Sequence, residues 1–580
     1  MEMVEGYFES FDKSQLFYRQ WKPKARSSGK ILILLHRGHE HSERLDQIAN
    51  NAAFAKFKIY SYDNRGHGHT EAKATYEFMN LVRDLDAFVK FVCAKEKKKT
   101  QDVFIVANSV AGVVASTWAH DYAPQISGMA LVAPAFRIKL YMPYAKALLK
   151  LAIAFKADLN ITSYVKSRYL THDVAEQDKY DNDKLITPNI PARQLTTLLD
   201  TGERIVADAN LITVPTLVLS AGSDYVVDSK IQGDFYAALS SNHKRFVALD
   251  NFYHGILYES NAELAIDEIS KFIGECFKLK SKPDIGKLVA ITQQECDKIT
   301  HGSMPLHQTL NYAMQKIMMS KLGFMSEGMK IGLKYGFDSG VTLDHVYCNE
   351  AKGTNAIGRM IDRNYLDSIG WKGIRQRKVN SMKTIRTRIE TLRSAKKKVK
   401  ILDIAGGPAR YLIELAAEFS DIEIQVRDYQ QQNVDEGRTL SKDLNLTNIE
   451  YQQTDAFDKS SYQNQDFQPN IVVVSGVFEL FGDNALIENA IEGIGSIIEP
   501  DGYLIYTGQP WHPQLEQIAK VLGNHQQSSW IMRRRSQCEL DALFANHGFN
   551  KLGMEIDDWG IFTVSVAQLT VKPRKKAATA

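Results

Sequence analysis

Val103-Phe104-Ile105-Val106-Ala107-Asn108-Ser109-Val110-Ala111-Gly112 is the stretch on which the reading of the fold turns. A short, branched, apolar run ends in small residues around one serine, and a helix-like stretch follows from Val113 to His120. This is the pattern of a strand feeding a tight strand-to-helix turn, a nucleophile elbow with Ser109 at its tip. Such a turn needs small residues two before and two after the serine, because the helix passes close to the strand. Ala107 and Ala111 hold those places, where glycine is usual. Taken alone, the pattern fits an ordinary buried strand equally well, so its surroundings decide.

Upstream, a run at 31–35 leads into His36-Arg37-Gly38-His39-Glu40-His41-Ser42, and a run at 59–62 ends in Asp63-Asn64-Arg65-Gly66-His67-Gly68-His69-Thr70. Downstream come runs at 128–133, at 216–220 before Ala221-Gly222-Ser223-Asp224, and at 245–249 before Asn251-Phe252-Tyr253-His254-Gly255. Strands alternating with helical patterns predict an α/β fold with a parallel, doubly wound sheet. In such a sheet reactive groups gather at the carboxyl ends of the strands. Ser109, Asp224 and His254 all fall just past a strand, in that order. A serine hydroxyl is too weak an acid to attack an ester unaided. An imidazole must take its proton, and a carboxylate must hold that imidazole in the right tautomer. The backbone N–H groups of Val110 and Gly38 are placed to serve an oxyanion.

These turns resemble those of the monoglyceride lipase and lysophospholipase group of α/β-hydrolases. Residues 36–42 are similar to the HGxxEHS turn, 63–70 to DxxGHGxS, 214–228 to the segment carrying the acid, and His254-Gly255 to the HG pair, over about residues 6–275. The resemblance implies Ser109 as nucleophile, Asp224 as orienter, His254 as base, and Gly38 and Val110 as oxyanion hole, acting on a lipid carboxylic ester. Arg37 and His39 depart from the usual glycines; Arg37 is read as a contact for a charged head group. His39, His41, His67 and His69 are expected to hold loops by hydrogen bonds rather than bind metal. A helical cap is expected at about 135–212, over a domain at 1–278. Lysines at 139, 146, 150 and 156 among its apolar residues point to peripheral contact with an anionic membrane.

A linker-like stretch at 278–284 opens a helical connector, 279–349, whose Met-rich part at 306–334 is read as interdomain packing. Beyond it a basic run, 383–398, reads as a solvated helix face. Then a strand enters Asp403-Ile404-Ala405-Gly406-Gly407-Pro408-Ala409, and a helix follows. Strand, small-residue loop and helix bring a nucleotide-like ligand against the main chain. Asp428, 25 residues on, suits ribose hydroxyls, and Asp455 suits an adenine amine. The order resembles the class I S-adenosylmethionine-dependent methyltransferases, over about residues 350–572. It implies a Rossmann-like sheet closed by a strand hairpin near 552–569. It also implies S-adenosylmethionine bound by Asp403, Ala405, Gly406, Gly407, Asp428, Tyr429, Asp455, Ala456 and Ser475. NAD is the runner-up cofactor, but Pro408 and Ala409 narrow the approach a pyrophosphate needs. The arginines at 359, 363 and 377 read as surface ion pairs, with an acceptor phosphate or carboxylate as the other reading. Tyr411, Glu479 and His512 are candidate bases. Residues 573–580 read as a disordered tail.

The pair resembles a bacterial fusion of hydrolase and methyltransferase, a bifunctional enzyme of lipid metabolism. The alternative is a methyltransferase with a non-catalytic, lipid-binding hydrolase-like domain. A net charge of +3 gives no argument for nucleic acid. Five scattered cysteines without a CxxC pair suggest neither zinc nor a disulfide framework, and favour a reduced, cytoplasmic setting. The oligomeric state is not legible.

Overall fold

The computed structural model describes residues 1–24, 27–71, 76–142, 144–156, 158–279, 282–463 and 466–570. The tail expected at 573–580, part of the 278–284 linker and two residues of the expected cap, 143 and 157, lie outside them. The chain forms two compact units, Met1–Asp284 and Ile285–Ala580.

The first unit is built on β1 (Glu2–Glu9), β2 (Gln15–Lys22), β3 (Ile31–Leu35), β4 (Lys58–Tyr62), β5 (Val103–Asn108), β6 (Gly128–Val132), β9 (Thr216–Ala221) and β10 (Lys244–Leu249). Their order is β1-β2-β4-β3-β5-β6-β9-β10, antiparallel through β2–β4 and parallel from there on. The inner strands β3, β5 and β6 are buried at every position, because helices cover both faces and leave no polar side to alternate. Helices α1 (Phe78–Glu96), α2 (Val110–Tyr122) and α5 (Glu263–Cys276) belong to this layer. Between β6 and β9 the chain forms α3 (Ala145–Phe155), the two-stranded ribbon β7 (Asn160–Thr162) and β8 (Asn189–Pro191), and α4 (Ala192–Ala207).

The second unit opens with α6 (Ile285–His301) and α7 (Leu306–Leu322), followed after shorter helices by α8 (Ile369–Ser394). The sheet comprises β11 (Lys400–Ile404), β12 (Glu423–Asp428), β13 (Ile449–Gln453), β14 (Ile471–Val474), β15 (Tyr503–Gly508), β16 (Phe549–Ile556) and β17 (Thr563–Leu569). Its order is β13-β12-β11-β14-β15-β17-β16. All neighbours are parallel except β17, which runs antiparallel between β15 and β16, so the strand hairpin expected near 552–569 closes the sheet. This is the Rossmann-like arrangement, with its topological switch between β11 and β14. The basic run expected as a solvated face is one side of α8: Lys383, Arg386 and Arg393 pair with Glu555, Glu418 and Asp421, while Ile385, Ile389 and Leu392 are buried. No helix among the described residues is long and apolar enough to cross a membrane.

Candidate active sites

At the carboxyl end of β5 the chain turns through Ser109 at φ 53° and ψ −114° and enters α2. The crossing is close: a Cβ on Gly112 would lie 2.8 Å from Pro134. Ala107 and Ala111 are both buried and stay out of the left-handed region, so a methyl group is accommodated at each and the strain falls on the serine. His254 Nε2 is 2.8 Å from Ser109 Oγ, and His254 Nδ1 is 2.8 Å from Asp224 Oδ2. Asp224 Oδ1 accepts from the N–H groups of Val226 and Val227 at 2.7 and 2.9 Å. Burial alone would raise this carboxyl; His254 and the two amides outweigh it and hold it below the usual carboxylate range. The structure therefore brings together three side chains separated by 115 and 30 residues along the chain (224 − 109 and 254 − 224).

Gly38 lies against the elbow, since a Cβ there would meet Val110 Cγ2 at 3.1 Å. Its turn is pinned from below. Asp63 is buried and accepts from the N–H of Ser42 and of His69 at 2.6 and 2.9 Å, tying the 36–42 turn to the 63–70 turn. Gly68 is required there, at φ +53° with Asp63 Oδ2 only 2.2 Å from where a Cβ would stand. His36 bridges the same turns, with Nε2 accepting from Asn64 N–H at 3.1 Å. The loop-holding role expected of the histidines is seen at His39 (to Thr187 O, 2.7 Å), His41 (to Asp183, 2.9 Å) and His67 (to Arg65 O, 2.9 Å). Arg37 is buried, pairs with Glu40 (Nε–Oε2 3.0 Å) and stacks 4.5 Å from the Tyr258 ring centre, while it also lines the cavity above Ser109 and its Nη1 has no hydrogen-bond partner.

Ser109, His254, Gly38 and Val110 open onto a cavity of about 780 Å³. Leu140, Leu149, Ile161, Ile190, Leu195 and Leu198 of the 135–212 segment wall it, so the reacting groups sit under an apolar roof. The outer face of that roof is apolar as well, with Tyr144 85% and Phe155 86% exposed. Two of the lysines read as facing an anionic surface are already neutralised within the unit: Lys146 pairs with Asp200 and Glu203, and Lys150 with Asp200.

In the second unit the loop after β11 keeps a left-handed backbone at Ala405 (φ 55°), Gly407 (φ 60°) and Ala409 (φ 52°). Glycine is needed at 406, where a Cβ would fall 2.2 Å from Asp403 Oδ2; at Gly407 the space is open. Asp428 Oδ2 accepts from Gly407 N–H at 2.9 Å, while its Oδ1 accepts from Gln430 N–H and Asn433 Nδ2, each at 2.9 Å. Asp403 is fully buried; Tyr411 OH donates to Oδ2 at 2.7 Å, and Oδ1 has no hydrogen-bond partner. Burial and the neighbouring Asp428 push this carboxyl up to about 8, while Tyr411 pulls the other way. Asp455 accepts from Phe457 N–H at 2.9 Å, Tyr429 is exposed, and Ser475 follows the end of β14. By the parallel register of β13, β12, β11 and β14 these residues share one edge of the sheet, at the switch point. An orphaned buried oxygen, a crowded glycine and an open one fit a small ligand laid along the main chain. Arg377 is buried rather than at the surface and pairs with Glu479 at 3.2 Å; Arg363 is an exposed partner of Asp367.

The chain has recognisable relatives. A family model described as "Putative methyltransferase" matches residues 269–569, and one described as "Serine aminopeptidase, S33" matches 26–261. The uncharacterized protein YnbC of Escherichia coli K12 is 40% identical over 572 residues, covering 97% of this chain and 98% of that protein. Phospholipase YtpA of Bacillus subtilis is 25% identical over 42% of this chain and 94% of its own length. Rat monoglyceride lipase is 26% identical over 42% of this chain and 80% of its own. Among solved structures, the monoacylglycerol lipase of Paleococcus ferrophilus matches 48% of this chain and all of its own at 19% identity, with a TM-score of 0.40.

Proposed function

The chain belongs to the family of the matched "Putative methyltransferase" model and of YnbC, joining a lipase-like α/β-hydrolase unit to a methyltransferase-like unit. From that premise we propose that it is bifunctional: a serine esterase for a monoacylglycerol or lysophospholipid, and an S-adenosylmethionine-dependent methyltransferase. The observation that carries the first half is the unbroken hydrogen-bonded line Asp224–His254–Ser109 at the floor of an apolar cavity. In this reading Ser109 Oγ attacks the ester carbonyl as its proton passes to His254 Nε2, and Asp224 steadies the imidazolium through Nδ1. The Gly38 and Val110 amides receive the developing oxyanion, and His254 returns the proton to the leaving alkoxide. Water then repeats the sequence on the acyl-serine. The apolar cavity is of a size to take an acyl chain. Contact with a lipid surface rests on the exposed apolar face of the cap rather than on its lysines.

For the second half, S-adenosylmethionine supplies a methyl group made electrophilic by its sulfonium. In this reading the acids at the ends of β11, β12 and β13 would serve its parts: Asp403 the amino-acid portion, Asp428 the ribose hydroxyls with Tyr429 beside it, and Asp455 with Ala456 the adenine. Ala405, Gly406, Gly407 and Ser475 leave the main chain bare for approach. Transfer then depends chiefly on positioning.

A fluorophosphonate probe tests the first half. Labelling of Ser109 in folded protein and its loss in Ser109→Ala are expected; an unlabelled Ser109 would leave a lipid-binding module. Calorimetry with S-adenosylmethionine tests the second, where absence of heat and of thermal stabilisation would overturn it.

A further inference from the structure

The second unit holds another cavity, of about 510 Å³, a size within the range of roughly 300–1,000 Å³ that takes small ligands. Met318, Met319 and Leu322 of α7 form one wall, and Ile518, Leu522 and Met532 also line it. Methionine is unbranched and adapts its shape, so this wall suits a flexible chain rather than one rigid outline. Of the stretch expected to serve interdomain packing, 306–334, the part forming α7 has no buried residue, and one side of it closes a cavity.

The cavity also carries polar atoms that nothing in the protein satisfies. Gln509 is 3% exposed, and both its amide oxygen and its amide nitrogen are buried without a hydrogen-bond partner. Trp530 Nε1–H is buried and unpartnered in the same lining. His512 accepts from Gln514 N–H at Nδ1 (3.0 Å), so Nε2 carries the ring proton; burial lowers its pKa to about 4 and keeps it neutral. A buried amide with idle donors and acceptors is costly unless a ligand or water meets it. The charged side chains of the lining each have a partner: Arg377 pairs with Glu479 at 3.2 Å, and Asp338 meets the backbone N–H and Nδ1 of His525 at 2.6 and 2.7 Å. Each charged side chain of the lining thus has its hydrogen-bonding partners within the protein, and none is left to seek a charged guest.

We propose that this cavity binds an uncharged single-chain amphiphile, its tail along the methionine wall and its polar end on Gln509, His512 and Trp530. Gly476, two residues past β14, shares the lining, which puts the polar end beside the strand edge assigned to the methyl donor. The bound amphiphile is then the methyl acceptor, a step that rests on the reading of this unit as a methyltransferase.

Photolabelling of the full chain with a diazirine-bearing dodecanol, mapped by mass spectrometry, tests the site. Labelled peptides from 315–322 or 515–532 are expected, competed by plain dodecanol and about tenfold less well by laurate. Gln509→Leu should weaken labelling about tenfold, the scale of one or two lost neutral hydrogen bonds. Met318→Trp should block it by filling the tail space, with thermal unfolding as the check that both variants fold. No labelling there, labelling confined to the first unit, or equal competition by laurate overturns the proposal; in the first case the orphaned groups hold water only. Heat with S-adenosylmethionine but no labelling removes the site and leaves the methyltransferase reading. Labelling without such heat supports the site and removes that reading.

Discussion

The serine turn and the 403–409 loop both carry alanine where their families carry glycine, and the backbone answers differently in the two. At the elbow Ala107 and Ala111 are packed without left-handed geometry, and the unfavourable conformation sits on Ser109 itself. In the loop the alanines at 405 and 409 are themselves left-handed, alongside Gly407. The side chains divide the same way. Asp224, His254 and Ser109 satisfy one another, whereas Asp403 keeps an oxygen with no partner. One site is finished by the fold, and the other is left for a ligand to finish.

The sharpest break of that contrast is Ser109→Ala. Hydrolysis of p-nitrophenyl laurate should fall by about 10⁴-fold or more in kcat, with methyl-donor binding unchanged, because a self-contained site loses everything with one member. Next comes pH. A carboxyl with a folded pKa of about 8 keeps its proton where the unfolded chain, near 3.8, has lost it. The folded state therefore binds more protons between those values, and stability of the second unit falls as pH rises through them, by up to about 1.4 kcal/mol per pH unit. Thermal unfolding between pH 5 and 8 should show this slope, and Asp403→Asn should flatten it; an unchanged slope would mean the carboxyl titrates normally. Asp428→Ala should weaken S-adenosylmethionine about ten- to thirtyfold by calorimetry, through a lost charged acceptor and a freed Gly407 amide, without touching esterase rates. Smallest, Ala405→Gly and Ala409→Gly should each stabilise the fold by about 0.5–1 kcal/mol in denaturant melts, while Ala107→Gly should not.

The strand-and-turn signatures were legible because each is local: a branched run followed by Asp224, His254 or Ser109 announces its own place on the sheet edge. The class of the second sheet was legible in the succession of the loop after β11 and the terminal hairpin, while the strand order itself is seen only in the fold. What periodicity does not carry is the partner. Arg37 reads as a head-group contact, and only the fold shows that Glu40 and Tyr258 already hold most of its guanidinium. Lys146 and Lys150 read as a basic face until α4, some fifty residues on, brings Asp200 and Glu203 to them. Gln509 carries no signal at all: a glutamine after a strand becomes notable only when its surroundings leave its amide unanswered.

The geometry of Ser109 has an evolutionary edge. A residue held at φ 53° and ψ −114° costs of order 1–3 kcal/mol, and only glycine escapes it. Libraries of this chain sorted for expression or heat resistance alone will therefore enrich Ser109→Gly, rewarding molecules that have gained robustness by giving up the hydroxyl at the elbow.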